Sequence, residues 1–236
     1  PGMSIWQVRA AMDAHPALIH KSEALETSQF AKVFGLEAPS AEGYFLPDTY
    51  IFDPDEADLV IYQRAFAAMQ KQLANAWDLY TKGYPDGAVL KNPYQLLILA
   101  SIVEKETGQA SERGMISAVF HNRLKKGMML QTDPTVIYGI GPKFDGDIKK
   151  ADLRRDTPYN TYMRFGLPPT PIAMPSKESL LAAAQPAVSN ALYFVARGDG
   201  SSQFSTNLKE HEAAVDRYQR NPAKSASKPV RMSDQA

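Results

Sequence analysis

The sequence contains no cysteine. That absence alone excludes a disulfide framework, thiolate chemistry and a cysteine-bound metal. Net charge is missing as well, because 26 lysines and arginines balance 26 aspartates and glutamates. Such a balance gives no electrostatic footprint for nucleic acid or for an anionic membrane surface. Long apolar runs are lacking too. The longest is far shorter than the ~20 residues a bilayer-spanning helix needs, and no signal peptide precedes it. His121 and His211 stand alone on helices without a partner at metal-ligand spacing, so they read as surface residues and no metal or cofactor is called for. Ser101 has no histidine nearby in sequence and no strand-to-helix elbow, so no nucleophilic triad is visible.

What is present is enough chain, 236 residues, for one large domain or two unequal ones with a substantial core. Ser4 to Gln7 forms a capping box before a short helix with Ile5, Val8 and Met12 on one face. A second short helix ends at Gly35, and Ala38 to Phe52 reads as a structured loop rich in proline, glycine and aromatics. From Asp53, capping Pro54, a long helix carries Tyr62, Phe66, Met69, Leu73, Trp77 and Tyr80 at spacings of three and four, which is a core pattern. Met115 to Leu124 marks another amphipathic helix that stops at Gly127. Between Met128 and Pro175 the pattern loosens into a loop-rich region, with strands expected near Met128 to Tyr138, and a loop that long in a compact domain is usually functional. Ser176 caps a helix that ends near Pro186. Leu192 to Ala196 and Gln203 to Thr206 read as a hairpin turning through Gly198-Asp199-Gly200. Asn207 and Glu210 then form a capping box for a last helix carrying Leu208, Val215 and Tyr218. From Asn221 no apolar period survives, and residues 221–236 read as a disordered tail.

The most informative stretch lies mid-chain. Asn92 is a good N-cap, Pro93 is pre-organised for a first turn, and the run from Leu96 to Val103 is apolar on almost every side. Such a helix is normally surrounded by other elements. It ends on Glu104-Lys105-Glu106, and a carboxyl group lodged against an apolar wall holds its proton toward neutral pH, where it can protonate a leaving group. That is the chemistry of glycosidic-bond cleavage. Both faces that the two glutamates share are apolar, so helical geometry does not choose between them. A Glu-Lys-Glu cluster that merely solvates a helix end is the alternative.

Further stretches give this cluster a context: Glu42-Gly43-Tyr44-Phe45-Leu46-Pro47-Asp48-Thr49-Tyr50, Ala100 to Thr107, Asn122-Arg123-Leu124, Leu130 to Gly139, Pro158-Tyr159-Asn160-Thr161-Tyr162 and Gly166-Leu167-Pro168-Pro169. In this order they resemble the YceG-like family, the MltG-type endolytic murein transglycosylases of bacterial cell walls, from about Gly2 to about Tyr218. After Pro169 the chain departs from the family's usual glycine-containing turn and reads Thr170-Pro171-Ile172-Ala173-Met174-Pro175-Ser176. The resemblance implies that Glu104 is the catalytic acid, with Glu106 a supporting or surface residue. It implies non-hydrolytic cleavage of the MurNAc–GlcNAc bond of nascent glycan strands, with 1,6-anhydro-muramyl ends and termination of glycan elongation as outcomes. It also implies the periplasmic face of the inner membrane as location, through an N-terminal anchor that precedes this chain. Peptidoglycan strands and the synthases that make them, the penicillin-binding proteins, are the implied partners.

Gln131, Tyr138, Tyr159, Asn160 and Tyr162 in the loop-rich region are the candidate sugar-binding residues, since amides pair with hydroxyl and acetamido groups and aromatic faces accept a pyranose. Each could equally cap a turn or pack. Glu42 either stabilises oxocarbenium character in the cleft or, the favoured reading, holds the loop from Phe45 to Tyr50 by accepting backbone hydrogen bonds. A hydrolytic muramidase, requiring a second essential carboxylate such as Glu42, Asp133 or Asp48, and a noncatalytic glycan-binding scaffold remain as alternatives. The expected architecture is α+β: a mostly helical, lysozyme-like core with a small β element from the late hairpin and a long loop-rich cleft region. Residues 1–40 are expected to be the remnant of a separate, LysM-linked subdomain, and 41–220 the catalytic domain.

Overall fold

The computed structural model describes residues 1–220 and is organised around one buried helix. The elements run α1 (Ile5–Asp13), β1 (Leu18–Ile19), α2 (Thr27–Val33), β2 (Glu56–Ala57), α3 (Asp58–Gly83), α4 (Pro93–Glu106), a 3₁₀ turn (Ala110–Glu112), α5 (Arg113–Lys125), α6 (Asp133–Ile140), α7 (Lys150–Arg154), α8 (Lys177–Ala184), β3 (Tyr193–Ala196), β4 (Ser202–Ser205) and α9 (Leu208–Val215), which continues as a π-helical turn (Asp216–Arg220). The class is α+β. Its two sheets are small: β1 pairs with β2 in parallel, and β3 pairs with β4 antiparallel with Phe194 opposite Phe204.

Helix α4 starts where the Asn92 side chain accepts from the Gln95 N–H, with Pro93 in the first turn. Every residue from Leu96 to Val103 is buried. Helices α3, α5, α6 and α8 enclose it, α8 most extensively, and Ile116, Phe120, Leu130 and Leu180 fill the space between. Ser101 is the one polar side chain of that run. It donates to the Ile98 carbonyl at 2.6 Å and accepts the Ile172 N–H at 3.0 Å, tying the segment before α8 to α4. A second cluster joins Ile5 and Phe30 of the N-terminal helices to Phe45, Tyr62, Ala65 and Met174. Residues 1–40 therefore share a core with the rest of the chain, and the expected boundary at residue 40 runs through packed side chains rather than a linker.

Other expectations give way to tertiary pairing. Helix α3 begins at Asp58, not near Asp53, because Asp55 adopts φ +67° and Glu56–Ala57 pair with β1. The region near Met128 to Tyr138 contains a helix, α6, where strands were expected. His121 is buried at 7% exposure and its Nε2 contacts the Ala183 carbonyl at 2.7 Å, so it is a packing residue between α5 and α8 rather than a surface one. Asn207 caps α9, but Glu210 turns to Thr206 instead of completing a capping box, and Leu208 is exposed. Arg123 donates to the Leu192 and Met129 carbonyls and lies over the Tyr193 ring, docking the β3–β4 hairpin on α5. Among the described residues no helix is long and apolar enough to cross a membrane. The expected disordered tail, 221–236, lies outside the described residues.

Ser101→Ala leaves the buried Ile172 N–H without an acceptor, and such a loss costs about 1–3 kcal/mol. Urea unfolding should show the midpoint falling by a corresponding amount; an unchanged midpoint would mean the Ser101 bridge contributes nothing.

Candidate active site

The last turn of α4 sends its three polar side chains in three directions. Glu104 points toward the start of α8: its Oε1 accepts the Ser176 N–H at 2.6 Å, and Arg113 Nη2 lies 4.0 Å from its Oε2. Its side chain is 9% exposed. Ser176 is itself the N-cap of α8, so the helix that packs along α4 also delivers the donor to its terminal acid. A backbone donor and a guanidinium are groups that stabilise negative charge on this carboxyl.

Lys105 is exposed and reaches back to the Gly2 carbonyl at 3.3 Å, across 103 positions of sequence. The N-terminal segment lies directly on this turn. Gly2 donates to the Met174 carbonyl at 2.9 Å, Met174 donates to Met3 at 2.8 Å, and a Cβ placed on Gly2 would sit 3.8 Å from Lys105 Cδ and 4.0 Å from Glu104 Cγ. The N-terminal segment, expected from the sequence to belong to a separate subdomain, thus forms one wall of the site.

Glu106 faces the opposite way, toward α6. Thr132 donates its hydroxyl to Glu106 Oε1 at 2.5 Å. Behind it Thr161 accepts the Thr132 N–H at 3.0 Å and meets Thr135 at 2.8 Å, a buried hydroxyl network. Burial raises the Glu106 carboxyl above the usual carboxylate range; the Thr132 bond opposes this and the nearby Asp133 charge adds to it. Glu106 is therefore built into the wall between α4 and α6.

Glu42 is fully buried. Its Oε2 accepts the Ile5 N–H at 2.8 Å and the Tyr138 hydroxyl at 3.0 Å, while Oε1 has no hydrogen-bond partner among the described residues. Burial pushes its carboxyl up to about 7, against the lowering effect of Ile5, Tyr138, the Gly43 N–H and the Lys105 charge. Instead of holding the Phe45 to Tyr50 loop, Glu42 joins α1 to α6. The sharp turn that brings it there requires glycine next door, since Gly43 has φ +84° and a Cβ on it would lie 2.5 Å from Pro171. Pro171 belongs to the stretch where the sequence departs from the family's turn, and it packs against this Glu42-Gly43 corner.

The candidate sugar-binding residues divide. Tyr138 and Tyr159 lie together, ring centroids 4.9 Å apart, with the Tyr159 hydroxyl 2.8 Å from Thr170 Oγ1. Trp6 packs on the other side of Tyr138 at 4.9 Å, an aromatic that the sequence offered only as part of a capping box. Gln131 is exposed at φ +51°, an uncommon backbone conformation for a non-glycine residue, and sits beside Thr132. Tyr162 donates to Asp133 at 2.5 Å on the α6 side. Asn160 is different: its amide donates to the Asp152, Leu153 and Arg155 carbonyls and its oxygen accepts the Tyr162 N–H. It is 1% exposed and closes its own loop, which corrects the expectation that it meets sugar. Asp48 accepts the Thr49 N–H at 2.7 Å and shares a cavity lining with Met3 and Met174. A cavity of about 500 Å³ lies between α1, α3 and the Phe45 to Tyr50 loop and is lined mainly by apolar side chains, Met3 and Met174 among them.

Residues 1–217 match the model of the YceG-like family, and the chain belongs to that family. Among its relatives is an endolytic murein transglycosylase of Bacillus subtilis, 40% identical over 177 residues, which cover 75% of this chain and 48% of the relative. An endolytic murein transglycosylase of Streptococcus pneumoniae is 33% identical over 74% of this chain and 31% of its own length. The crystal structure of a YceG-like protein from Listeria monocytogenes superposes with a TM-score of 0.66 at 35% identity, covering 90% of this chain and 65% of that one. The chain thus spans about half or less of the curated relatives it matches.

The raised carboxyl of Glu42 carries a sign that can be measured. A group with a folded value near 7 and an unfolded value of 4.5 binds more protons in the native state between those limits, so its contribution to stability is complete below pH 4.5 and is lost as pH rises through 7. The full difference is on the order of 3 kcal/mol. Stability measured by urea unfolding should fall across that window. Glu42→Gln should flatten the slope; a slope unaltered by the substitution would show that Glu42 does not titrate there.

Proposed function

We propose that this chain carries the cleaving activity of an endolytic murein transglycosylase, with Glu104 as the acid that acts on the glycosidic bond between MurNAc and GlcNAc. The observation that carries the proposal is the placement of Glu104 just past the buried Leu96 to Val103 run of α4, with the Ser176 N–H at 2.6 Å and Arg113 at 4.0 Å. Glu104 gives its proton to the glycosidic oxygen as the C1–O bond breaks. The resulting carboxylate, stabilised by these two donors, takes the proton of the muramyl C6 hydroxyl, and O6 closes onto C1 of the same sugar. Atoms balance without water, and the product end is a 1,6-anhydro-muramyl group. Because the nucleophile belongs to the substrate, correct holding of the ring substitutes for an activated water; effective molarities for such reactions reach on the order of 10⁵ M.

The hydrolytic alternative needs a second carboxylate facing the sugar to activate water or form a covalent intermediate. Its candidates fit that role poorly. Glu42 is wholly enclosed, Asp133 accepts the Tyr162 hydroxyl, and Asp48 accepts the N–H of its own neighbour Thr49. The names borne by the relatives support the non-hydrolytic reading. On this reading the chain works outside the cytoplasm at the inner membrane, on nascent strands in company with penicillin-binding-protein synthases, and limits glycan length.

Removing a positioned general acid costs ~10²–10⁴-fold in rate. Glu104→Gln should lower cleavage of uncrosslinked peptidoglycan strands by at least about 100-fold while circular dichroism stays unchanged, and mass spectrometry of wild-type digests should give anhydro ends. Normal cleavage by the variant would remove Glu104 from its role, and reducing ends one water heavier would favour the muramidase.

A further inference from the structure

Glu42 poses a physical question that the reaction leaves open. Enclosing a carboxyl group with one oxygen unpartnered is costly, by about 1–3 kcal/mol or more, and such a group calls for an explanation. Nothing in the proposed proton transfers uses it. Its one engaged oxygen does two things at once: it takes the first free N–H of α1, at Ile5, and the hydroxyl of Tyr138 on α6. Those bonds fix two rings relative to each other, because Trp6 is the next residue of α1 and lies on the Tyr138 ring at 4.9 Å with the planes 32° apart. Tyr138 in turn contacts Tyr159 at 4.9 Å. The result is a run of three rings, each only partly covered, with the indole at its outer end.

The position of that run relative to Glu104 follows from chain length. A Cβ placed on Gly2 would sit 4.0 Å from Glu104 Cγ, so Gly2 borders the acid, and Trp6 follows four residues later, with at most about 14 Å of chain between Gly2 and Trp6. Lys105, whose charge acts on Glu42, lies on the same side and binds the Gly2 carbonyl. Lys105 and Trp6 thus flank the short N-terminal segment that borders Glu104. The apolar, C–H-bearing face of a pyranose suits the negative face of an indole.

We infer that Trp6, held against Tyr138 by Glu42, is a stacking subsite for an N-acetylated hexopyranose neighbouring the sugar cut at Glu104. The inference rests on the reading of the chain as a glycan-cleaving enzyme and adds to it a binding residue from the N-terminal helix. Glu42 acts through Tyr138 and is a positioning residue. The indole grips a ring that is not itself transformed, so it contributes to binding rather than to the chemical step.

The chain has two tryptophans, Trp6 and Trp77, which makes the subsite directly observable. In a Trp77→Phe protein, Trp6 is the sole indole emitter. Titration with tri-N-acetylchitotriose should shift and quench its emission in a saturable way, independently of any cleavage. In cleavage assays on uncrosslinked strands, Trp6→Leu, which keeps apolar bulk without a ring face, should raise KM about 10-fold with kcat altered less than about 3-fold. Trp6→Tyr should recover most of the loss. Glu42→Ala should raise KM in the same way, with Glu42→Gln nearer the wild type. Emission unmoved by the saccharide, or a Trp6→Leu enzyme with unchanged KM, in a protein that still cleaves strands would overturn the subsite and leave the activity standing. A protein that neither cleaves strands nor responds to the saccharide would overturn both.

Discussion

Helix α4 has no solvent-facing side chain between Leu96 and Val103, and the rest of the molecule is arranged to satisfy that condition. Each large aliphatic side chain so enclosed contributes roughly 1.5–3 kcal/mol, which is why four helices are gathered around one. The enclosure also decides where the polar chemistry sits. Past that run the last turn of α4 emerges, so Glu104, Lys105 and Glu106 are presented at the edge of the core. The helix that covers α4 most fully, α8, begins at Ser176, and its cap N–H becomes the partner of Glu104. Packing and site are therefore consequences of the same burial.

The N-terminal residues complete the arrangement. Gly2 and Met3 pair with Met174, just before Ser176, and Glu42 ties Ile5 to Tyr138. Two of the three carboxyl groups near the site, Glu42 and Glu106, are held in the walls, where desolvation raises them toward their neutral forms. Functional sites retain such costs because a softer wall would let the reacting groups drift. The division of labour is chemical: one acid in contact with donors that stabilise its charge, and two that fix the surfaces on either side.

Much of this was legible in the sequence where the signal is local. Ser4, Asn92, Ser176 and Asn207 all cap helices as their side chains suggest, and the hairpin through Gly198-Asp199-Gly200 forms as read. The YceG-like resemblance agreed with the family match over nearly the whole described chain. What failed was decided at a distance. Asp53-Pro54 looks like a helix start, yet Glu56–Ala57 are taken by Leu18–Ile19. The run Thr135-Val136-Ile137 favours a strand locally, but Pro134 in the first turn and the packing of α6 on α4 make it helical. Asn160 and Glu42 were recognised as important, while their roles depended on carbonyls and N–H groups that no linear pattern reveals. Nor could spacing choose between Glu104 and Glu106, since both faces are apolar; Ser176 and Thr132, supplied by other elements, distinguish them. The contact of Trp6 with Tyr138 is likewise invisible in the sequence, because nothing in its own helix points to that ring.

The central claim is that, of the carboxyl groups gathered here, Glu104 alone reaches the bond that breaks. A crystal structure of the Glu104→Gln protein with an intact muramyl-containing glycan fragment in the cleft tests it most directly. The account predicts the residue-104 amide within hydrogen-bond distance of the glycosidic oxygen, with Glu42 and Glu106 still bound to Tyr138 and Thr132. A glycosidic oxygen seated on Glu106 or Glu42, with residue 104 out of hydrogen-bond reach of it, would contradict it.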